Sequence, residues 1–450
     1  MRTSLRPARS FFPRLRATTL SVGLLAQLVS QPRASAQSPP VESVAQEEFH
    51  PTADLDLPSL LRVVRDHAPT LQQDHLSVDL SQADARQSRL IDNPVLDAAV
   101  GTIPIGTPNP PDLPHPLRNI PNYGVGLSVH PDLARRSAKI DRAAFLVTAA
   151  DAQRRSSVRG QAIQLLRTLG DLAVASLRLS ADLRLTAQSK AALQLARERV
   201  KTGFGPPLDA DRAEIELLRL EQQIAADQGD ILTAQAACGQ FVGSRCAAFS
   251  DEQEARKFLA RWIVRAETLS PQIEARPDLQ ALEAQRSAAL AEDRQAYALR
   301  IPDPTVRVGY LYDSFVASGN QQHSVSVSLS TPLAMSDHGQ ASRQAAQSRA
   351  RRFAEQKRLT VLSSQVRIDS LRRALLTQRQ RLTTLQEQVL PRGQAILRDV
   401  RRAFEARAVP LTDLNQAQRA LDELLLQEAT TLGDLFRISL DLIQEGASDE

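Results

Sequence analysis

The chain has 450 residues, of which 42% are hydrophobic and 24% charged, and a formal net charge of +4. The basic excess lies in the first 36 residues, which hold six arginines and no acidic residue, so the remainder carries about −2. That remainder offers no basic surface for a polyanion, and nucleic acid is excluded as a partner.

Residues 1–36 have the features of a secretory signal peptide. A basic start precedes a short apolar stretch from Ala17 to Ser30, and Ala34-Ser35-Ala36 fits the small-residue cleavage rule. Residues 37–56 are rich in Pro, Gln and Glu, and we expect them to form a flexible N-terminal segment. The pattern predicts an exported protein that is cleaved after residue 36.

From residue 57 the sequence predicts helices interrupted by short β segments. A short helix over 57–64 is followed by an amphipathic helix over 69–92, which ends at Asn93-Pro94 because the residue before proline avoids helical angles. A first β-hairpin is predicted at about 94–131. Its second strand alternates apolar residues with glycine, serine and histidine, the apolar positions being Tyr123, Val125, Leu127 and Val129.

A long helix is predicted from about 133 to 202, where the sequence lacks proline. At 1.5 Å per residue it would be about 100 Å long. Its apolar residues recur every three or four positions, which is typical of coiled-coil packing: Val158, Ala162, Leu165, Leu169, Leu172, Leu179 and Leu183. The chain then turns at 203–207 and returns as a helix to about residue 237.

A connector or equatorial region is predicted at 247–275, just after the only two cysteines. On a continuous helix Cys238 and Cys246 would lie about 12 Å apart, too far for a disulfide. A helix that ends near Gly239 or Gly243 would permit the bond. Both states stay open at this point.

A second copy of the plan begins at residue 276, with a hairpin at about 302–333. Its strands are about nine residues long, the length that a tilted strand needs to cross a bilayer, and they alternate in polarity. The side chains predicted to face lipid are Val306, Val308, Tyr310, Tyr312, Val325, Val327 and Leu329. Those predicted to face a water-filled lumen are Arg307, Asp313, Ser324, Ser326 and Ser328.

A second long helix is predicted at about 339–407, bent by Pro391 and Gly393. Its apolar residues keep strict 3–4 spacing: Ile368, Leu371, Leu375, Leu382, Leu385 and Val389. A turn at 408–410 leads to a last helix that ends near residue 443. Asp209 after the first turn corresponds to Asp413 after the second, 204 positions later.

The fold class is therefore mainly α with β, in two tandem repeats of helix, β-hairpin, long helix, tip and helix. The predicted divisions after the signal and the flexible segment are repeat 1 at 57–246, the connector at 247–275, repeat 2 at 276–447 and a tail at 448–450. The sequence contains no phosphate loop, nucleophile elbow, HExxH helix or metal-ligand spacing of histidines. We predict no enzymatic activity, no cofactor and no metal site.

These features together resemble the outer-membrane efflux protein family typified by TolC, over about residues 57–447. The resemblance rests on the doubled plan, on Arg276-Pro277-Asp278-Leu279-Gln280, and on the stretch from Phe404 to Leu414, whose counterpart begins at Arg199. It implies a homotrimer that forms a twelve-stranded outer-membrane β-barrel, continued by a periplasmic α-helical barrel. The strands would contact outer-membrane lipid of a Gram-negative cell, and most of the helical mass would lie in the periplasm.

The resemblance implies two kinds of protein partner, a periplasmic adaptor and an inner-membrane transporter of the RND, ABC or MFS type. The chain would then be the exit duct of a tripartite efflux or type I secretion system. The alternative is a periplasmic coiled-coil scaffold or adaptor subunit without a barrel. An adaptor, however, would carry compact Gly-rich β domains, and the sequence has none.

The resemblance also assigns roles to the two turns, here called tip 1 (residues 199–209) and tip 2 (residues 403–413). The residues implied to dock the adaptor are Gly203, Asp209, Phe404, Arg407, Val409 and Pro410. Asp413 matches an acidic ring that attracts cations at the entrance, and the family's second acid falls on Gln416, so a single weaker ring is expected. Alternatively, Asp413 only stabilises the start of the last helix.

Tip 2 departs from the TolC pattern in three places. The Tyr and Arg that latch the closed entrance of TolC fall on Phe404 and Val409, and the usual tip glycine is replaced by Arg407. The entrance would then be closed by apolar packing, or closed less firmly.

Overall fold

The computed structural model describes residues 48–107, 111–112, 114–301, 303–314 and 321–446. The expected signal peptide at 1–36, much of the flexible segment at 37–56 and the tail at 448–450 lie outside these residues. The elements in chain order are α1 (Leu57–His67), α2 (Gln72–Arg89), β1 (Val95–Gly101), α3 (Pro116–Asn119), β2 (Asn122–Val129), α4 (Arg136–Lys201), α5 (Pro207–Val242), α6 (Glu252–Glu267), α7 (Pro277–Tyr297), β3 (Thr305–Asp313), β4 (His323–Ser330), α8 (Gln340–Thr384), α9 (Leu390–Glu405) and α10 (Leu411–Gly446). The predicted class, mainly α with some β, is confirmed.

The four strands form one antiparallel sheet in the order β1-β2-β3-β4. Strand β2 pairs with β3, with Gly126 opposite Gly309. This pairing joins the hairpin of the first half to the hairpin of the second half. Within each hairpin the strands also pair antiparallel. The sheet therefore ends at β1 on one side and at β4 on the other, and both edges lack a further strand within the described residues.

Helix α4 has 66 residues and changes partners along its length. Its first part contacts α7, through Arg155 and Gln280, and its last part contacts α5, through Arg197 and Glu214. The predicted apolar stripe is buried at its centre but fails at its end, where Leu183 is 52% exposed and its neighbour Asp182 is fully buried. The reason is that a fixed 3–4 repeat drifts around a long helix, so a new partner meets a new face.

The second long helix consists of α8 and α9, joined by a π-helical turn at Leu385–Val389. The predicted interruption near Pro391 is present, one turn earlier than expected. Proline has no N–H to donate, and its ring clashes with the carbonyl four residues back, so the wider turn accommodates it. Ile368, Leu375 and Leu382 of the predicted apolar stripe are buried.

The middle of α4 packs against α6 and the end of α10, and this region is called the waist. Phe258, Trp262 and Phe436 are buried there, with the Phe258 and Phe436 rings 5.8 Å apart. Gly170 of α4 lies directly beneath Phe436, where a Cβ atom would overlap the ring. The two helices can therefore approach closely only because residue 170 lacks a side chain.

The motif that begins the second half ties three helices together. The Arg276 guanidinium donates to both carboxylate oxygens of Asp278, at 3.1 and 2.8 Å, at the start of α7. It also donates to Ser364 of α8 at 2.8 Å and to the Glu445 carboxylate of α10 at 2.7 Å. An arginine is suited to this position because its planar fork carries five donors.

Candidate functional site

The register of the strands collects apolar side chains on one face of the sheet. One row across all four strands is Leu96, Leu127, Val308 and Val327, and each of these side chains is exposed. Residues predicted to face lipid share this face, and all are exposed except Tyr312, which is half-buried. Strand β1, whose alternation is weak in the sequence, also gives Ala98 and Val100 to the face.

The opposite face is polar and made largely of small residues. Arg307, predicted to face the lumen, reaches across β2 and binds Asp97 of β1, with its Nε 3.1 Å from each carboxylate oxygen. The side chain passes over Gly126, where a Cβ atom would lie 2.6 Å from Nη2. Ser324, Ser326, Ser328 and Asp313 share the parity of this face. Sequence reasoning missed Asp97, since only the strand register shows that it faces Arg307.

The two tips have the same backbone conformation at the turn. Gly203 and Arg407 both adopt left-handed conformations, with φ of +75° and +65°. A helix-ending hydrogen bond of 2.8 Å closes each turn, from Phe204 N–H to the Arg199 carbonyl and from Ala408 N–H to the Ala403 carbonyl. Arg407 therefore occupies a position that favours glycine, at a cost of about 1 kcal/mol.

Reciprocal contacts between arginine and phenylalanine join the two tips. The Arg199 guanidinium of tip 1 lies over the Phe404 ring of tip 2, 4.2 Å from its centroid. Arg407 of tip 2 lies over the Phe204 ring of tip 1, also at 4.2 Å. Phe404 is buried, whereas Phe204 is exposed. The Phe404 ring thus combines apolar burial with a guanidinium partner, and this charged contact was not predicted from the sequence.

The remaining tip residues lie around these stacks. Asp413 and Gln416 are exposed on the first turns of α10, and the Asp413 N–H donates to the Pro410 carbonyl at 3.3 Å. Asp209 begins α5 in the same way, with its carboxylate 3.9 Å from Arg212. Val409 is half-buried and Pro410 exposed. In the single chain, the Asp413 side chain is therefore exposed to solvent.

A groove runs from the waist toward the tips between α4 and α9, with α10 at its base. Its upper part is a cavity of about 750 Å³ with leucines at the base and arginines at the rim, namely Arg184, Arg256, Arg398 and Arg401. Glu428 inside it accepts hydrogen bonds from Arg256 at 2.9 Å and from Gln386 of the π turn at 2.9 Å. The lower part reaches Phe404.

Cys238 and Cys246 form a disulfide, with Cα atoms 6.0 Å apart. The bond is possible because α5 ends at Val242 and the chain turns at Gly243, whose φ is +68°. In the part of the chain that the structure describes, no group of His, Cys, Asp and Glu is arranged to hold a metal ion. No helix of that part is long and apolar enough to cross a membrane.

The model of one family, outer membrane efflux protein, matches residues 60–244. No curated protein matches the chain. The matched residues span the first helix–hairpin–helix copy, and the predicted resemblance to this family is confirmed.

Solved structures share the fold over most of the chain. The outer-membrane channel OprN matches with a TM-score of 0.68 and 18% identity, covering 88% of this chain and 91% of its own. CusC matches with a TM-score of 0.71 and 16% identity, over 90% and 96%. The outer membrane protein VceC from Vibrio cholerae matches with a TM-score of 0.67 and 17% identity, over 88% and 97%.

Proposed function

We propose that three copies of this chain form an outer-membrane channel, the exit duct of a tripartite efflux or type I secretion system. The observation that carries the proposal is the sheet with one exposed apolar face and one face of glycine, serine and an Arg307–Asp97 pair. In water, an exposed apolar face of this extent is unfavourable, whereas lipid tails cover it. The polar face would then line the passage.

The chain has edges without a neighbour at three levels: the sheet, the helices near the sheet and the helices near the tips. These edges support assembly with further copies. The sheet ends at β1 and β4. Near the sheet the helices neighbour one another in the order α2, α4, α7, α8, and near the tips in the order α5, α4, α10, α9. The outermost helices carry exposed apolar side chains: Leu76 and Leu80 on α2, Leu359, Leu362 and Val366 on α8, Ile215 and Leu218 on α5, and Ile396 on α9.

Each level presents one edge from the first half of the chain and one from the second half. Pairing β4, α8 and α9 of one copy with β1, α2 and α5 of the next gives a head-to-tail contact that closes into a ring. A free strand edge in lipid would leave backbone groups unpaired, at several kcal/mol each. Three copies would supply the twelve strands that the family resemblance implies.

In this arrangement the tips form the entrance. Three copies of Asp413 would make a ring of negative charge that attracts cations. The groove between α4 and α9 and the exposed tip residues would receive a helical periplasmic adaptor, which connects the channel to an inner-membrane transporter that supplies the energy. A periplasmic scaffold without a barrel is the rival function, but it gives the exposed apolar sheet face no role.

The test uses two neighbouring residues of β4 that face opposite sides. Val327→Lys places a charge on the proposed lipid face, at a cost of about 2–4 kcal/mol near the bilayer centre. Ser328→Lys places the same charge in the proposed lumen. We expect Val327→Lys to abolish channels in planar lipid bilayers and Ser328→Lys to retain them with altered ion selectivity. Equal tolerance of both changes, or no channels from the unchanged protein, would contradict the proposal.

A further inference from the structure

Three aspartates from three helices meet in the interior between the waist and the tips. Asp182 of α4 is fully buried, Asp227 of α5 is 1% exposed and Asp422 of α10 is 5% exposed. The carboxyls of Asp227 and Asp422 are the neighbouring groups that act on the Asp182 carboxyl. Charged groups so deeply buried require partners, because the interior solvates them poorly.

Two arginines form ion pairs at one edge of this cluster. Arg219 of α5 donates to Asp422 at 3.1 Å and to Glu216 at 3.1 Å, and Arg419 of α10 donates to the same Glu216 at 2.6 Å. These ion pairs connect α5 to α10.

Asp227, at the other edge of the cluster, has weaker charged and polar partners. Arg178 of α4 acts on Asp227 through its charge and lies 3.7 Å from Asp230, and the neighbouring Gln223 lowers the pKa of Asp227. Neither carboxylate oxygen of Asp182 has a donor in the described residues, and one oxygen each of Asp227 and Asp422 also lacks one. Two ionised carboxylates in contact repel, whereas one protonated carboxyl becomes a donor to the other.

We infer that Asp182 binds a proton and donates it in a hydrogen bond to Asp227, and that this proton-binding site joins the α4–α5 pair to α10. With the proton bound, the buried cluster loses one negative charge and gains the donor that it lacks. Without it, three carboxylates face one another, with Arg219 beside Asp422 and Arg178 near Asp227 as the nearby cations. The proton thus controls how firmly α10, which carries Asp413 at its start, is held against the other two helices.

The direction of the pH effect follows from the pKa of Asp182. Burial first, and then the neighbouring carboxyls of Asp227 and Asp422, raise that pKa to about 7, from an ordinary value near 3.8. Burial also raises the pKa of Asp227. Between pH 4 and 7 the folded chain holds a proton that the unfolded chain has released. The stability contributed by the cluster therefore falls as pH rises through this range and is lowest above it.

The experiment replaces Asp182 with asparagine, which keeps a hydrogen-bond donor at every pH. Hydrogen exchange of the full chain is measured at pH 6 and pH 8 for the amides around Asp227 and Asp422. We expect the unchanged protein to exchange at least tenfold faster at pH 8, after correction for the intrinsic pH effect. D182N should exchange slowly at both pH values.

Asp211→Asn, an exposed aspartate on the same helix as Asp227, is the matched control and should keep the pH dependence. If D182N fails to fold, Asp227→Asn removes the same repulsion and should also flatten the pH response.

In infrared spectra at pH 6, the carbonyl stretch of a buried protonated carboxyl should disappear in D182N. An unchanged pH dependence in D182N, or no such band in the unchanged protein, overturns the inference. These readouts require no channel activity, so they stand or fall apart from the proposed function.

Discussion

The waist and the tips both join the two halves of the chain, but they do so with different chemistry. At the waist, Gly170 lets α4 and α10 approach until Phe436 covers the backbone, and large apolar side chains such as Trp262 fill the space. At the tips, two arginines stack on two rings, and one of them, Arg407, holds a left-handed conformation.

This difference in chemistry makes the two joints differ in strength. Close apolar packing is worth several kcal/mol per large side chain and depends weakly on salt and pH. A stacked arginine contributes about 0.5–2 kcal/mol, and left-handed strain at Arg407 offsets part of it. The waist therefore holds the halves together most firmly. At the tips the buried Phe404 ring adds apolar packing to one stack, and the exposed stack of Arg407 on Phe204 is the contact that can separate at small cost.

The largest effect is expected at the waist. Gly170→Val would place a side chain inside the Phe436 ring, and α4 and α10 would have to move apart. We expect a loss of about 3 kcal/mol or more, seen as failure to accumulate in membranes or a large drop in Tm. Gly160→Ala is the control, because a Cβ there meets open space and alanine favours a helix by about 1 kcal/mol. Equal effects of the two changes would refute the close approach.

The next effect is expected at the buried ring of tip 2. Phe404→Ala removes both the apolar contact and the stacking partner of Arg199, at a cost of about 3 kcal/mol. Because the tips are locally stabilised, hydrogen exchange should rise at 199–209 and 403–413 and stay unchanged at the waist. Phe404→Leu keeps the burial and should lose only the stacking part. Uniform faster exchange over the whole chain would show that the tips are not a separate joint.

Smaller effects separate strain from stacking at the two left-handed positions. Gly203→Ala should destabilise by about 1 kcal/mol, because alanine disfavours a φ of +75°. Arg407→Gly should change the unfolding free energy by less than that, since relief of strain offsets the lost contact with Phe204. Arg407→Ala keeps the strain, loses the stack and should be the less stable of the two Arg407 variants. A clear gain in stability for Arg407→Gly would mean that the stack contributes nothing.

The smallest effect on stability is expected at Asp413, whose replacement should instead change ion conduction. The side chain is exposed, and Asp413→Ala should change the free energy of unfolding by less than about 0.5 kcal/mol. We expect higher single-channel conductance or weaker block by divalent cations. Asp209→Ala, at the matching position of tip 1, should have the lesser effect because Arg212 partly neutralises that carboxylate. Identical recordings for Asp413→Ala and the unchanged protein would eliminate the acidic ring.

Local sequence patterns were sufficient for the long helices and for the two faces of strands β2, β3 and β4. Strict alternation around Val308 and Val327 predicted two-sided strands, and a strand can show only one face to each side. Likewise the 204-residue offset of Asp209 and Asp413 predicted equivalent tips, and their backbones agree.

Features that depend on which helix meets which face could not be predicted in this way. The apolar repeat predicts that Leu183 is buried, but the structure buries its neighbour Asp182 instead. The repeat follows one face of α4 and contains no information on where the helix changes partners. The stacks of Arg199 on Phe404 and Arg407 on Phe204 join non-equivalent positions of the two copies, so the repeat alignment hides them. Short-range spacing contains no information on such contacts.

The central claim is that identical chains close into one ring around a shared passage. The direct measurement is the mass of the mature protein after extraction from membranes in mild detergent, corrected for bound detergent. We expect a trimer that withstands SDS without heating and migrates as a single chain after boiling. A monomer that stays soluble without detergent would contradict it.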